Sequence, residues 1–133
     1  MGSNDVDLVR SVYEAMGRGD VPGVFATMSE DVDWFEAEGM PFGGHYRGPS
    51  QVGEGVFGPL FADFPDFSPT PEEFIGQGPT VAVVVRYRGT SSRTQARLDE
   101  PVVHVWDVEN GKIVRFRQFV DTVKYREAAG PPS

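Results

Sequence analysis

His104 and Gln118 stand on either side of Asn110-Gly111 in the run HVWDVENGKIVRFRQF that begins at His104. An imidazole gives or takes a proton near neutrality, whereas a carboxamide only donates and accepts hydrogen bonds. Facing one cavity, the two could steady an oxygen on which negative charge develops while a separate base removes a proton beside a carbonyl. Whether they face one cavity depends on the hairpin. A three-residue Glu109-Asn110-Gly111 loop with Gly111 left-handed is a common bulged connection. It sets Val108 opposite Lys112, His104 opposite Phe116 and Val102 opposite Gln118. One face then carries Val102, His104, Trp106, Phe116, Gln118 and Val120, and the other carries Val103, Val105, Asp107, Arg115, Arg117, Phe119 and Asp121. A two-residue turn would exchange the faces, because strand side chains alternate with period two.

The elements that must position this hairpin are readable from periodicity. Val9, Val12, Tyr13 and Met16 recur at helical spacing, and Gly17 and Gly19 stop the helix. Asp20 is placed to cap a short second helix, with Pro22 in its first turn and Val24, Phe25 and Met28 inward. Residues 31–36 read as a short strand, and 39–48, with four Gly and one Pro, as a loop carrying His45. Residues 49–61 read as a third helix, weakened by Gly53, Gly55 and Gly58. From Asp66 the period becomes that of strands, at 67–75, 80–88, 95–108 and 113–120. Asp121 caps a last short helix. Helices followed by antiparallel strands give an α+β fold, with helices on one face of a strongly curved sheet. Such a cone encloses a natural small-molecule pocket.

At 133 residues the chain is read as one domain over 1–133, with 1–4 and 129–133 as loose ends. Asp5 and Asp7 interrupt any N-terminal apolar leader, and no apolar run reaches the ~20 residues of a membrane span. Zero Cys excludes disulfides, thiol nucleophiles and thiolate metal sites, which fits a cytoplasmic setting. Two distant His without HxH or HExxH spacing point to no metal, and the glycines form no phosphate or dinucleotide fingerprint, so no cofactor is expected. A net charge of -8 without a basic stripe makes nucleic acid and anionic membrane poor partners.

Gly-Arg-Gly-Asp ending at Asp20, Glu-Asp-Val-Asp-Trp ending at Trp34, Tyr-Arg-Gly ending at Gly48, Gly-Lys-Ile-Val ending at Val114 and Phe-Val-Asp-Thr ending at Thr122 follow one another in an order that resembles the NTF2-like superfamily. Within it, the chain resembles the SnoaL-like proteins, which include polyketide cyclases and relatives of ketosteroid isomerase, over about residues 5 to 128. The resemblance implies the cone fold more firmly than any one chemistry, because a fold hosts many functions. In the cyclases a histidine lines the pocket seven residues before the hairpin glycine, as His104 stands before Gly111. The isomerases' general base would fall on Glu36, sixteen residues after Asp20. Their oxyanion tyrosine would fall on Val12, so that donor is missing, and Tyr13 is expected to point elsewhere. The aspartate base of the cyclases, and one acid of the limonene epoxide hydrolases, would fall on Gln118, which takes no proton. The hydrolases' second acid would lie near Arg86 or Tyr87, where there is none, so epoxide hydrolysis is not expected.

The expected site is therefore Glu36 as base, His104 as electrophilic donor and Gln118 as positioning group, walled by Trp34, Phe57, Phe61, Trp106, Phe116 and Val120. The expected function is cofactor-free acid–base chemistry of isomerase, aldol cyclase or dehydratase type on a small hydrophobic carbonyl compound. The alternative is a non-catalytic ligand-binding or dimeric scaffold domain, in which Glu36 is an exposed acid at a strand end and His104 a satisfied sheet histidine. Val103, Val105 and Phe119 beside Arg115 and Arg117 predict a homodimer through the outer sheet face.

Overall fold

The computed structural model describes residues 2–131. Helix α1 (Gly2–Gly17) buries Val9, Val12, Tyr13 and Ala15. Its C-terminus closes as a Schellman motif: Gly19 at φ 70° lets Gly19 N–H reach Met16 O and Asp20 N–H reach Ala15 O. The Asp20 carboxylate then accepts from Gly23 N–H at 2.9 Å and starts α2 (Val21–Ala26). Two glycines and one aspartate thus turn the chain onto β1 (Met28–Glu36), which is longer at its start than the strand expected at 31–36.

The segment 39–48 is not wholly a loop. Gly44–Arg47 forms β2, pairing antiparallel with β1 so that Trp34 lies opposite Tyr46. His45 thus lies on a strand, where it bonds Asp33 at 2.8 Å and stacks on Phe35. The third helix runs as α3 (Gly48–Val52), a π-helical turn (Gly53–Phe57) and α4 (Gly58–Asp63). Its glycines serve close approach as well as weakening the helix, since a Cβ on Gly55 would sit 2.2 Å from the Tyr46 ring.

The remaining strands are β3 (Ser68–Gln77), β4 (Thr80–Thr90), β5 (Arg97–Glu109) and β6 (Lys112–Val120), followed by α5 (Thr122–Ala129) capped by Asp121. The sheet order is β2-β1-β6-β5-β4-β3, with β1 and β6 parallel and all other neighbours antiparallel. This is the expected α+β architecture, a curved and unclosed sheet covered on one face by helices. The C-terminal end is anchored further than expected: Ala129 is buried and its carbonyl accepts from Ser91. Met1, Pro132 and Ser133, also counted among the loose ends, lie outside the described residues.

The hairpin register differs from the expected one. Asn110 (φ 51°) and Gly111 (φ 74°) form a two-residue turn with Glu109 opposite Lys112. Taken alone, that turn would have moved His104 to the opposite face from Gln118. A bulge restores the parity: Val108 pairs with Ile113 and Asp107 with Arg115, leaving Val114 as the extra residue. His104 therefore lies directly opposite Gln118, not Phe116, and Trp106 lies opposite Phe116. The inner face keeps its expected composition through two departures that cancel.

Candidate functional site

Strand parity aims Trp34 and Glu36 of β1, Tyr87 of β4, His104 and Trp106 of β5, and Phe116 and Gln118 of β6 to the inner side of the sheet, where all seven are buried. The helices contribute Met16, Val56, Phe57 and Leu60 to the same cavity. Its free volume is about 20 Å³, close to the room one water needs. The cone is thus largely filled by its own side chains, where an open apolar pocket was expected. Trp34 stacks on Phe116 with centroids 3.8 Å apart, and Trp106 lies 4.6 Å from Phe116 and 5.8 Å from Trp34. Phe61 packs only half-buried against Phe57 and Phe67 and is not among the cavity's walls. Val120 likewise faces a groove beside Ala37 and Gly44.

Around this cavity runs one connected set of polar groups. Trp106 Nε1–H donates to the Tyr13 hydroxyl at 2.9 Å, which meets His104 Nδ1 at 2.6 Å. On the other side His104 Nε2 meets the Tyr87 hydroxyl, also at 2.6 Å. Gln118 Nε2–H donates to that same Tyr87 oxygen at 2.9 Å, and Gln118 Oε1 accepts from Ala37 N–H at 3.1 Å. Both nitrogens of His104 are therefore engaged by phenols, so the imidazole orients two hydroxyls and presents no free N–H to a ligand. Burial pushes its pKa down to about 3, which keeps it neutral.

Glu36 is 5% exposed and takes Trp34 Nε1–H at 2.8 Å. Burial pushes its pKa up to about 7, against the opposing pull of the Trp34 N–H and the Gln118 amide. A carboxyl group half-ionised at neutrality, inside an apolar enclosure, is poised to take a proton. Glu36, His104 and Gln118 thus line one cavity, as expected.

Tyr13 and Tyr87 were missed from sequence. Val12 and Tyr13 are both inward, because the apolar arc of α1 is wide enough to include neighbours 100° apart, so Tyr13 does not point away. Tyr87 continues the inward alternation of Val81, Val83 and Val85, and that parity was the available signal.

Glu100, opposite Tyr87 on β5, was missed by the same parity. It is fully buried and neither carboxyl oxygen has a partner among the described residues. Burial, and then repulsion from Asp121, push its pKa up to about 7, while Lys124 pulls the other way. Because the folded value lies above the unfolded one, Glu100 contributes stability that is fully present below pH 4.5 and lost as pH rises through 7. Glu100→Gln is therefore expected to match the parent at pH 4 and to exceed it by about 2 kcal/mol at pH 9 in urea unfolding. Parallel pH dependences for the two chains would remove this account of Glu100.

Among the described residues no helix is long and apolar enough to cross a membrane, and no three His, Asp or Glu cluster as metal ligands do.

The curved sheet, the three-part helical cover and the inward polar cluster define an NTF2-like protein. A SnoaL-like domain model matches residues 9–116, and the chain belongs to that family. An NTF2-like protein from Burkholderia thailandensis E264 is 33% identical with a TM-score of 0.90, covering 96% of this chain and 98% of that one. An NTF2-like protein of unknown function from Burkholderia pseudomallei K96243 is 30% identical over the same shares, at a TM-score of 0.89. TerC, co-crystallized with polyporic acid, is 26% identical at a TM-score of 0.87, covering 95% of this chain and 98% of that one. No curated protein matches the chain.

Proposed function

We propose that the protein abstracts a proton beside the carbonyl of a small hydrophobic compound, without a cofactor, as an isomerase, aldol cyclase or dehydratase of the SnoaL-like family does. The observation that carries this reading is the buried carboxyl group of Glu36 lining the cavity, with its pKa moved to about 7 and a polar cluster on the same cavity. Glu36 takes the proton, Gln118 holds the local geometry, and His104 acts as a positioning residue through its two phenols. The narrow cavity favours a compound of one ring, admitted by displacement of flexible Met16 and Met40. TerC's co-crystallization with polyporic acid supports a ligand with acidic oxygens. The test is incorporation of deuterium beside the carbonyl of 2-cyclohexenone in D2O, followed by NMR in the parent and in Glu36→Gln.

The filled interior also favours a second reading, a non-catalytic binding or scaffold domain. That reading predicts no deuterium incorporation above buffer from any small cyclic ketone.

In either reading the chain pairs with a second copy through its outer sheet face. Phe119 is 55% exposed, opposite Val103 and near Phe35, with Arg115 and Arg117 alongside. Light scattering at micromolar concentration should give a dimer for the parent and a monomer for Phe119→Glu; a monomeric parent ends the proposal.

A further inference from the structure

The cluster around His104 holds one more proton than it has places for. A neutral imidazole carries one N–H, and Tyr13 and Tyr87 carry one O–H each. These three protons share only two hydrogen bonds, Tyr13 to Nδ1 and Tyr87 to Nε2. Trp106 and Gln118 add donors to the phenol oxygens and relieve nothing. One hydroxyl proton is therefore left without an acceptor in the cluster, and the tautomer of His104 decides which.

If Nδ1 carries the proton, Tyr87 donates to Nε2 and the spare proton belongs to Tyr13. Tyr13 is buried among Phe74, Trp106 and the His104 ring, and its hydroxyl has no further hydrogen-bond partner among the described residues. Orphaning a buried donor costs about 1–3 kcal/mol. If Nε2 carries the proton, Tyr13 donates to Nδ1 and Tyr87 accepts twice, from Nε2–H and from Gln118 Nε2–H. Its own O–H is then released toward the cavity that Tyr87, unlike Tyr13, lines together with Glu36. The second arrangement leaves the spare donor on the hydroxyl of the residue that lines the cavity, where a ligand oxygen can accept it.

We propose that Tyr87 is the donor to the ligand's oxygen, on the tautomer of His104 protonated at Nε2, and that the cavity therefore selects a compound bearing a carbonyl. The catalytic role rests on the proton abstraction assigned to Glu36. In that step the C–H bond beside the carbonyl breaks, its proton passes to the Glu36 carboxylate, and the electron pair moves through the new C=C bond onto the carbonyl oxygen. Tyr87 holds that oxygen by a hydrogen bond and keeps its own proton. Two N–H donors on its oxygen polarise the Tyr87 O–H and strengthen the bond it gives. Returning the proton from Glu36 to the same or a conjugated carbon completes an exchange or an isomerisation.

Two measurements test this. Nitrogen-15 NMR of histidine-labelled protein should find His104 neutral with its proton on Nε2; a proton on Nδ1 overturns the assignment. Infrared spectra of bound 2-cyclohexenone should show the carbonyl stretch lowered relative to water-free solvent. Tyr87→Phe, checked for folding by circular dichroism, should lose that lowering and bind about tenfold more weakly, as for one hydrogen bond to a neutral carbonyl oxygen. No lowering in the parent, or an equal lowering in Tyr87→Phe, overturns the proposal. Glu36→Gln separates the two ideas. Deuteration that persists in Glu36→Gln sinks the base while the infrared shift still reads Tyr87, and deuteration lost with the shift retained supports both.

Discussion

Glu36→Gln is expected to lower deuterium incorporation into 2-cyclohexenone by about 100-fold or more, the usual share of a positioned base. In the parent, the rate should climb with pH and level off above about 7, where the carboxyl group is ionised. Glutamine keeps the volume and can still meet Trp34 Nε1–H through its carbonyl oxygen, so the fold is preserved. The same change should stabilise the chain in alkali. In the folded protein Glu36 holds its proton to about pH 7, while its ordinary value is 4.5. Its contribution is therefore fully present below pH 4.5 and lost as pH rises through 7, leaving an ionised, desolvated group. The difference corresponds to about 3 kcal/mol. Urea unfolding should show Glu36→Gln more stable by about that amount at pH 9 and equal to the parent at pH 4. A variant that exchanges deuterium as fast as the parent ends the assignment of the base, and equal stability at both pH values ends the account of its burial.

Trp106→Ala should cost about 3–5 kcal/mol, a large share of the 5–15 kcal/mol of a typical domain. Trp106 is 1% exposed and packs on Tyr13, Trp34, His104 and Phe116, so the vacated volume has rigid aromatic walls that collapse poorly. Its loss also removes the N–H donor to Tyr13. The hole has the shape of the missing indole, and added indole should restore part of the loss by binding only the folded chain. A cost under about 1 kcal/mol, or no rescue by indole, would show that the interior is softer than its packing implies.

The elements were legible wherever one physical rule acted alone. The Gly17–Gly19 stop, the Asp20 and Asp121 caps and the alternation of β4 and β5 each follow from local chemistry. Legibility failed where two rules competed. In residues 39–48 the glycines concealed a short edge strand held by pairing with β1 and by Tyr46 packed against Gly55. At the hairpin, the turn and the bulge at Val114 each shift parity, and only their sum fixes the face. At the site, Glu36, His104 and Gln118 were readable as types at suggestive positions. Their hydrogen bonds were not, because Tyr13 and Tyr87 enter from other elements. How full the cone is depends on how four large aromatics interlock, which no pattern along the chain encodes.

The Tyr13–His104 and Tyr13–Trp106 bonds join residues 91 and 93 positions apart. During synthesis α1 leaves the ribosome long before β5 exists; its inward face can pack on Phe74 once β3 emerges, but the Tyr13 hydroxyl meets its partners only when β5 follows. The polar cluster is therefore assembled at the end of folding, by contacts of high sequence separation that carry the largest loop-closure cost. A chain truncated before β5 should lack the partners of the Tyr13 hydroxyl and hold its first helix more loosely, exposed to chaperones and to proteolysis near Met16.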